Sequence, residues 1–482
     1  MQAIKTAGEK YKKLSVQTKA ALWFAVCSVL QKGISFVTVP IFTRIMPPED
    51  YGVYTLYLSW LQIMTIITTL NLHCGVFNNG MTKFEDDRDR YISSMQGITI
   101  TLTTIVLVIF TVGLDSWSKL LGLAPGIILL MFIELYTVPA FNFWSGKLRF
   151  EYRYKTLVTF TLVKSVLNPL LGLALVLISS DKGLARVISI VTIEGIFCGA
   201  LLVMQFIRGK VYIDRKYWRY AITLALPVLP HYLSGIILNQ GDRVMIDKMV
   251  GKSAVAFYGV AYSVGMLTQI VSGAIIDSFT PWMYMKIKRK DFDQVKQVIN
   301  YIMLFVMAVV FILMLFGPEV IMIFGSSEYA DAKYVIPPVA ASVFFIFLYN
   351  IIVIPEFYFE KTQYLMISSL IAAGLNIALN YLFIKQYGYI AAAYTTLTCY
   401  ILYGIGHFII VKRITGKEIP GIKLYDTRTI GLIGLLVVVF GIAIQFIYDY
   451  LLIRMVLVLA TLFVAYIKKD KIVNLIKTIR SK

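Results

Sequence analysis

Residues 20–43 read AALWFAVCSVLQKGISFVTVPIFT, a run in which Lys32 is the only charge. A helix needs about 20 mostly apolar residues to cross a bilayer core, and this run supplies them. It is too long for a signal peptide and nothing before it resembles a cleavage site, so it reads as a retained membrane helix. The rest of the chain has the same character. Of its 482 residues 58% are hydrophobic and only 15% charged, with a mean hydropathy of +0.75. Soluble domains carry about 25% charged residues, and disorder needs low hydrophobicity, so both classes are excluded.

The same ruler finds spans at 20–43, 52–72, 92–114, 123–143, 156–178, 184–207, 221–240, 254–276, 297–317, 335–357, 363–384, 389–411, 429–448 and 451–467. No connection is long enough for a soluble domain. Lys and Arg number 46 against 27 Asp and Glu, a net charge of +19. In a soluble protein that excess points to nucleic acid; in a membrane protein it collects on the cytoplasmic side. With the N-terminus inside, 34 basic residues fall on inner segments and nine in or beside outer loops. Lys32, Lys164 and Arg186 lie within spans. A missed span would invert this pattern downstream, yet it persists to the last residue. The expected fold is an all-α integral membrane protein of about fourteen helices, both termini cytoplasmic. The basic start (Lys5, Lys10, Lys12, Lys13, Lys19) and the tail from Lys468 to Lys482 are expected on the anionic inner leaflet.

An internal repeat joins spans one and seven. Arg44-Ile45-Met46 followed by Tyr51-Gly52-Val53-Tyr54 is matched by Arg243-Val244-Met245 followed by Tyr258-Gly259-Val260-Ala261-Tyr262. Six spans separate the two elements, an even number, so the halves share orientation and form a parallel repeat. The expected organisation is a basic N-terminus (1–19), a six-helix N-lobe (20–220), a six-helix C-lobe (221–411) and two added helices with a basic tail (412–482). Pro40, Pro139, Asn168-Pro169, Pro227, Pro230 and Pro355 fall in spans and are candidate kinks or hinges.

Catalytic chemistry is missing. Asp87-Arg88-Asp89 has the spacing of a glycosyltransferase metal motif but sits in a charged inner loop, where a solvated charge run is the simpler reading. Gly251-Lys252-Ser253 ends like a phosphate-binding loop, but Ile246 stands where its first glycine belongs. His73, His231 and His407 are too few and scattered for a metal cluster, and the four cysteines form no CxxC. No nucleophile and base can be paired. The expectation is a protein that is not an enzyme, binds no nucleic acid and carries no cofactor.

A charge inside the membrane costs a few kcal/mol and marks function by default. Lys32, Glu134, Lys164 and Glu194 lie inside spans of the N-terminal half. Depths along the spans pair Lys164 with Glu134 and Lys32 with Glu194. Either these pairs hold helices together, or the lysines line a wet cavity for an anionic substrate while the acids tune them or carry protons. In the second half, Asn239-Gln240-Gly241-Asp242-Arg243 forms a polar cluster at the outer mouth, with His231 two turns deeper. Arg243, always charged and able to grip a phosphate bidentately, is either a ligand or an interfacial anchor. Asn376 and Asn380 share a helix face and suit interhelical hydrogen bonds.

Thr18-Lys19-Ala20-Ala21-Leu22-Trp23-Phe24 and Gln31-Lys32-Gly33-Ile34-Ser35-Phe36 resemble the start of the Wzx-type oligosaccharide flippases, in the superfamily that includes the multidrug and toxin extruders. Pro40-Ile41-Phe42-Thr43-Arg44 with Tyr51-Gly52, Asp242-Arg243 with Gly251 and Tyr258, and the basic loop Lys147–Lys155 are similar to that family's elements. The resemblance implies a transporter that flips undecaprenyl-diphosphate-linked oligosaccharide repeat units to the outer leaflet of the bacterial cytoplasmic membrane. Its product would feed capsule, exopolysaccharide or O-antigen (lipopolysaccharide) synthesis, alongside a polysaccharide polymerase and a chain-length regulator. Transport would be coupled to H⁺ or Na⁺. The implied substrate contacts are Arg44 and Arg243 by motif. Lys32 and Lys164, with Glu134, Glu194, Asp242 and His231 as coupling or charge-pairing groups, rest on the buried-charge reading. Competing readings are a drug antiporter of the same fold, a peptidoglycan-precursor flippase, and a polymerase or ligase. A drug antiporter would favour acidic cavities, and a polymerase or ligase would carry a large external loop.

The charge asymmetry makes a direct prediction about topology. A fluorescent protein fused after Lys482 should fluoresce, and alkaline phosphatase fused there should be inactive, with the opposite result for fusions between Arg44 and Tyr51. An active phosphatase at the C-terminus would contradict the count of spans.

Overall fold

The computed structural model describes residue 11 and residues 14–361 and 363–467, so the tail from Lys468 and most of the basic start lie outside it. Every regular element among the described residues is a helix. The chain divides into two compact units, Met1–Ile236 and Ile237–Lys482. The first unit contains α1 (Val16–Ile45), α2 (Pro48–Thr69), α3 (Val76–Lys83), α4 (Arg88–Thr111), α5 (Leu114–Leu121), α6 (Pro125–Phe150), α7 (Tyr154–Ile178), α8 (Lys182–Gly209), α9 (Arg215–Ala225) and the start of α10 (Leu229–Met249). The second holds the rest of α10, then α11 (Lys252–Gly265), α12 (Thr268–Arg289), α13 (Phe292–Leu315), α14 (Gly317–Phe324), α15 (Ile336–Ile352), α16 (Ile354–Tyr358), α17 (Gln363–Tyr387), α18 (Tyr389–Glu418), α19 (Thr427–Ala443) and α20 (Leu451–Ile467).

Ten helices are long and apolar enough to cross a membrane, and twelve if the bent pairs α9–α10 and α11–α12 each count as one span. The other two expected spans are α2 and α20. Helix α20 is apolar but short. Helix α2 has the length and lacks the hydropathy, because protein rather than lipid surrounds much of it. Thr55, Ser59, Thr68 and Thr69 are buried, and each hydroxyl bonds the carbonyl four residues back. Such side chains satisfy themselves locally and let helices approach closely. Outward-facing residues elsewhere are greasy: Val112, Ile178, Phe446 and Leu452 are about four-fifths exposed, which only lipid tolerates at this density.

The first unit ends later than the expected 220/221 junction. Helix α9 is amphipathic, capped by Asp214, whose carboxylate accepts from the Lys216 N–H. Tyr217, Ala221 and Ala225, spaced four apart, bury one face in an aromatic core with Phe77, Phe84, Tyr91 and Phe143. That packing carries the first part of the seventh span into the first unit. Asp87 accepts from the Tyr217 hydroxyl and Asp89 pairs with Lys147, both at 2.5 Å. The acids of the DxD-like run therefore lie at the surface, as a solvated charge run would, and also tie helices together.

Pro355 opens α16 after a turn at Val353, and the other five candidate prolines divide into two groups. Pro40, Pro139 and Pro169 sit inside continuous helices. Around Pro227 and Pro230 the seventh span breaks, with a 57° bend between α9 and α10. Another break, of 40°, falls after Gly265 without any proline. In a membrane, neighbouring side chains can re-satisfy a backbone group that a single proline frees, so the helix stays intact; two prolines three residues apart leave too many.

The last two helices are part of the second unit's core. Ile430, Ile433, Val437, Ile444 and Val458 belong to one buried cluster with Val306, Val310, Met314 and Phe344. Arg454, nearly fully buried, grips Glu319 with two bonds of 2.6 and 2.7 Å and the Leu315 carbonyl at 2.9 Å. This fork joins α20 to the junction of α13 and α14. A residue counted in the sequence as an outer-loop cation is thus an internal tie.

Gly97 of α4 is a packing constraint: a Cβ there would lie 1.9 Å from the Tyr212 carbonyl oxygen, a backbone atom that cannot swing away. Gly33 of α1 has nothing within 4 Å of the same position. Gly97→Ala should cost about 1–3 kcal/mol and lower the unfolding midpoint in detergent, while Gly33→Ala leaves it unchanged or raises it. Equal midpoints for the two variants would refute the packing of α4 against residue 212.

Candidate functional site

In the first unit, the buried charges form a chain of partners across α7, α8, α6 and α2. Lys164 of α7 donates to Glu194 of α8 at 2.8 Å and stands 4.2 Å from the centre of the Phe141 ring of α6. Cys198, one turn after Glu194, directs its thiol to the same carboxylate at 3.2 Å. Glu134 of α6 accepts from the Tyr57 hydroxyl of α2 at 2.5 Å. Glu134 is 3% exposed and Lys164 9%, so each charge meets its partner inside protein.

This corrects the pairing expected from depth, which was Lys164 with Glu134 and Lys32 with Glu194. Helix α6 runs on to Phe150, beyond the expected span end, so Glu134 lies roughly 24 Å from that end rather than half as far. Depth also says nothing of rotation about the helix axis. Lys32 stands at nearly the same depth as Glu194, yet it is exposed on α1, which packs chiefly on α7.

Arg186 is the functional-grade charge that the sequence reading counted but did not nominate. It lies in the second turn of α8, 5% exposed, and donates to Asn168 at 2.9 Å and Ser189 at 2.8 Å. Its guanidinium stacks over Phe42 at 4.4 Å and Tyr54 at 5.0 Å. Gly172 makes the space: a Cβ there would lie 2.7 Å from an Arg186 nitrogen. The available signal was Asn168-Pro169 followed by Gly172, polar and small residues on the helix that faces it.

In the second unit, Asp242 is fully buried and accepts three hydrogen bonds, from Tyr258 at 2.5 Å, Asn380 at 2.6 Å and Thr396 at 2.7 Å. Asn376 bridges Thr396 and Asn380, each at 3.1 Å, and Thr395 closes the ring on Asn380. The two asparagines do make interhelical bonds, and these radiate from Asp242. Arg243 points elsewhere. It is 6% exposed, lies 4.4 Å over the Tyr262 ring, and donates to the Asn239 carbonyl at 2.7 Å. Arg44 makes the same bond in the first unit, to the Pro40 carbonyl four residues back at 2.8 Å, but is exposed. The two arginines thus share a local bond and differ in burial. Arg243 is buried against Tyr262 rather than open to solvent.

His231 does not join this cluster. It belongs to the first unit, where it and His73 line one cavity of about 420 Å³ with Gln62 and Asn71. The structure thus brings together two of the three histidines. His407 pairs with Glu356 at 2.6 Å, both fully buried. Among the described residues no group of three candidate metal ligands occurs, and Cys27, Cys74, Cys198 and Cys399 are free thiols.

Removing the Asp242 carboxylate orphans three donors at once. Asp242→Ala should destabilise the protein by about 3 kcal/mol or more, and Tyr258→Phe by about 1–2 kcal/mol, read as unfolding midpoints in detergent. A harmless Asp242→Ala would show that the ring is not what holds α10, α17 and α18 together.

A family model described as polysaccharide biosynthesis protein matches residues 18–287. No curated protein matches the sequence. Among solved structures, the lipid II flippase MurJ in an inward closed conformation superposes with a TM-score of 0.71 at 15% identity, over 94% of this chain and 100% of that one. An inward-facing multidrug resistance MATE family transporter of the MOP superfamily gives 0.60 at 14% identity, over 84% and 100%. A MOP superfamily transporter from Pyrococcus furiosus, described as having a binding pocket of reverse polarity, gives 0.57 at 14% identity, over 83% and 97%. At these identities the likeness is one of fold. With more than half of its length matched by the family model, the chain belongs to the polysaccharide biosynthesis protein family and has the fold shared by MurJ and the MATE transporters.

Proposed function

We propose that this protein flips undecaprenyl-diphosphate-linked oligosaccharide repeat units from the inner to the outer leaflet of the bacterial cytoplasmic membrane by alternating access, for assembly of a surface polysaccharide. Both termini lie in the cytoplasm, and an H⁺ or Na⁺ gradient drives the cycle. A polysaccharide polymerase and a chain-length regulator take up the product. The observation that carries this reading is the polysaccharide biosynthesis family match across residues 18–287, on a chain whose spans hold paired ionisable groups.

The physical need is plain. A diphosphate and a string of sugars cannot enter hydrocarbon, while the lipid tail is at home there. A protein that moves them must offer cations at membrane depth, and must keep its other charges neutralised so that the helices hold. Lys164 and Glu194 serve the second purpose, as do Asp242 and its ring of donors. Lys32 and Arg44 are the exposed cations on α1 and serve the first. Arg243 stays with Tyr262 and the Asn239 carbonyl.

Lys32→Ala should cut surface polysaccharide at least about tenfold at unchanged protein level, with lipid-linked glycan accumulating on the inner leaflet. Lys32→Arg should restore most of it, because the charge is kept. Surface glycan assayed by antibody or lectin, against an immunoblot of the transporter, decides the matter. Full polysaccharide in Lys32→Ala would remove the cation from the mechanism.

A further inference from the structure

A second cavity of the first unit, of about 560 Å³, is lined by polar groups that the mechanism above does not use. His73 contributes from the turn between α2 and α3, Asn78 from α3, and Asn142, Ser145 and Arg149 from the last turns of α6, with Tyr152 just beyond. Binding sites for small molecules span roughly 300–1,000 Å³, so the volume suits a ligand. His73 also lines the 420 Å³ cavity that it shares with His231, so the two spaces meet at this ring.

Three features mark the cavity as a built site. The side chains of His73, Asn78 and Asn142 have no hydrogen-bond partner among the described residues, so their donors and acceptors are open to the space they line. The chain entering it is strained: Leu70 and Asn71 have φ of 48° and 51°, and Gly75 a φ of 77°. Asparagine and glycine take that conformation readily and leucine does not, so the turn is held by its surroundings. The lining also includes no carboxylate. Glu151, the nearest acid in sequence, is engaged by Lys147 and Arg153.

Amide forks, a hydroxyl, an imidazole and a tyrosine beside one guanidinium form the chemistry that takes sugar hydroxyls next to a single anionic group. A cationic drug would find no counter-charge here. The elements around the cavity end in Lys83, Lys147, Arg149 and Arg153, on the side that the charge asymmetry assigns to the cytoplasm, where a lipid-linked glycan is assembled. We propose that this cavity recognises the sugar proximal to the diphosphate, with Asn78 and Asn142 on its hydroxyls and Arg149 on a phosphate oxygen, before the cargo is moved. The assignment rests on the flippase reading and adds to it the residues that read the glycan.

The test uses the full-length protein in lipid nanodiscs and two probes: lipid-linked glycan extracted from a host strain lacking this transporter, and undecaprenyl diphosphate without sugar. Wild type should bind the glycan-bearing lipid more tightly than the bare one. Asn78→Ala combined with Asn142→Ala should erase that preference, a loss of about tenfold or more for the glycan-bearing lipid, and leave bare-lipid binding and the unfolding midpoint unchanged. Arg149→Ala should weaken both probes alike. Asn142→Gln, which keeps an amide, should retain part of the preference and guards against a packing artefact. An undiminished preference in the double variant overturns the site and leaves the flippase reading standing. Failure of wild type to bind either lipid overturns both.

Discussion

A charge placed in a membrane-embedded bundle must be neutralised where it stands, and this requirement organises both units. In the first, Lys164 and Glu194 join α7 to α8, Glu134 leans on Tyr57 of α2, and Arg186 is stacked between aromatic rings and held by Asn168 and Ser189. In the second, one carboxylate, Asp242, gathers donors from three other residues on three helices. Lipid tails give helices no hydrophobic reason to associate, so packing and such polar ties must hold them. Breaking one side of a buried pair leaves the other stranded, which costs more than the pair is worth intact. The ties therefore specify which helices are neighbours, whatever they contribute to net stability.

Against this background an exposed cation at the same depth means something different. Lys32 has the charge and the depth of the buried groups without their shelter. The protein has met the cost of its internal charges with partners of its own, and Lys32 stands outside that arrangement, which is why the proposed function assigns it to the cargo. Lys32 differs from Lys164, and Arg44 from Arg243, in burial.

The spans were legible because apolar length is a one-dimensional signal, and twelve of the fourteen expected spans coincide with helices, or bent helix pairs, long and apolar enough to cross a membrane. Even α2 was legible, although its buried threonines and serines leave it less apolar than a lipid-facing helix. Arg44 and Arg243 were legible as a matched pair of motifs, and each bonds the fourth carbonyl back. Side-chain partners were not legible. Depth along a helix is readable from residue number, whereas azimuth depends on which helices are neighbours, and that is set in three dimensions. For the same reason Arg186, counted within a span, was not nominated: its inward direction shows only in its partners Asn168, Phe42 and Tyr54 and in the space at Gly172 on other helices. The two histidines on one cavity, 158 positions apart in the chain, were invisible to any local reading.

Helix α1 is the least embedded of the long spans, with only Ala20, Cys27, Phe42 and Thr43 buried along thirty residues. Few protein contacts within its unit therefore fix its tilt. A helix so placed responds to a thicker or thinner bilayer by leaning, at fractions of a kcal/mol per Å. Because α1 also carries Lys32 and Arg44, any such lean would move both charges together.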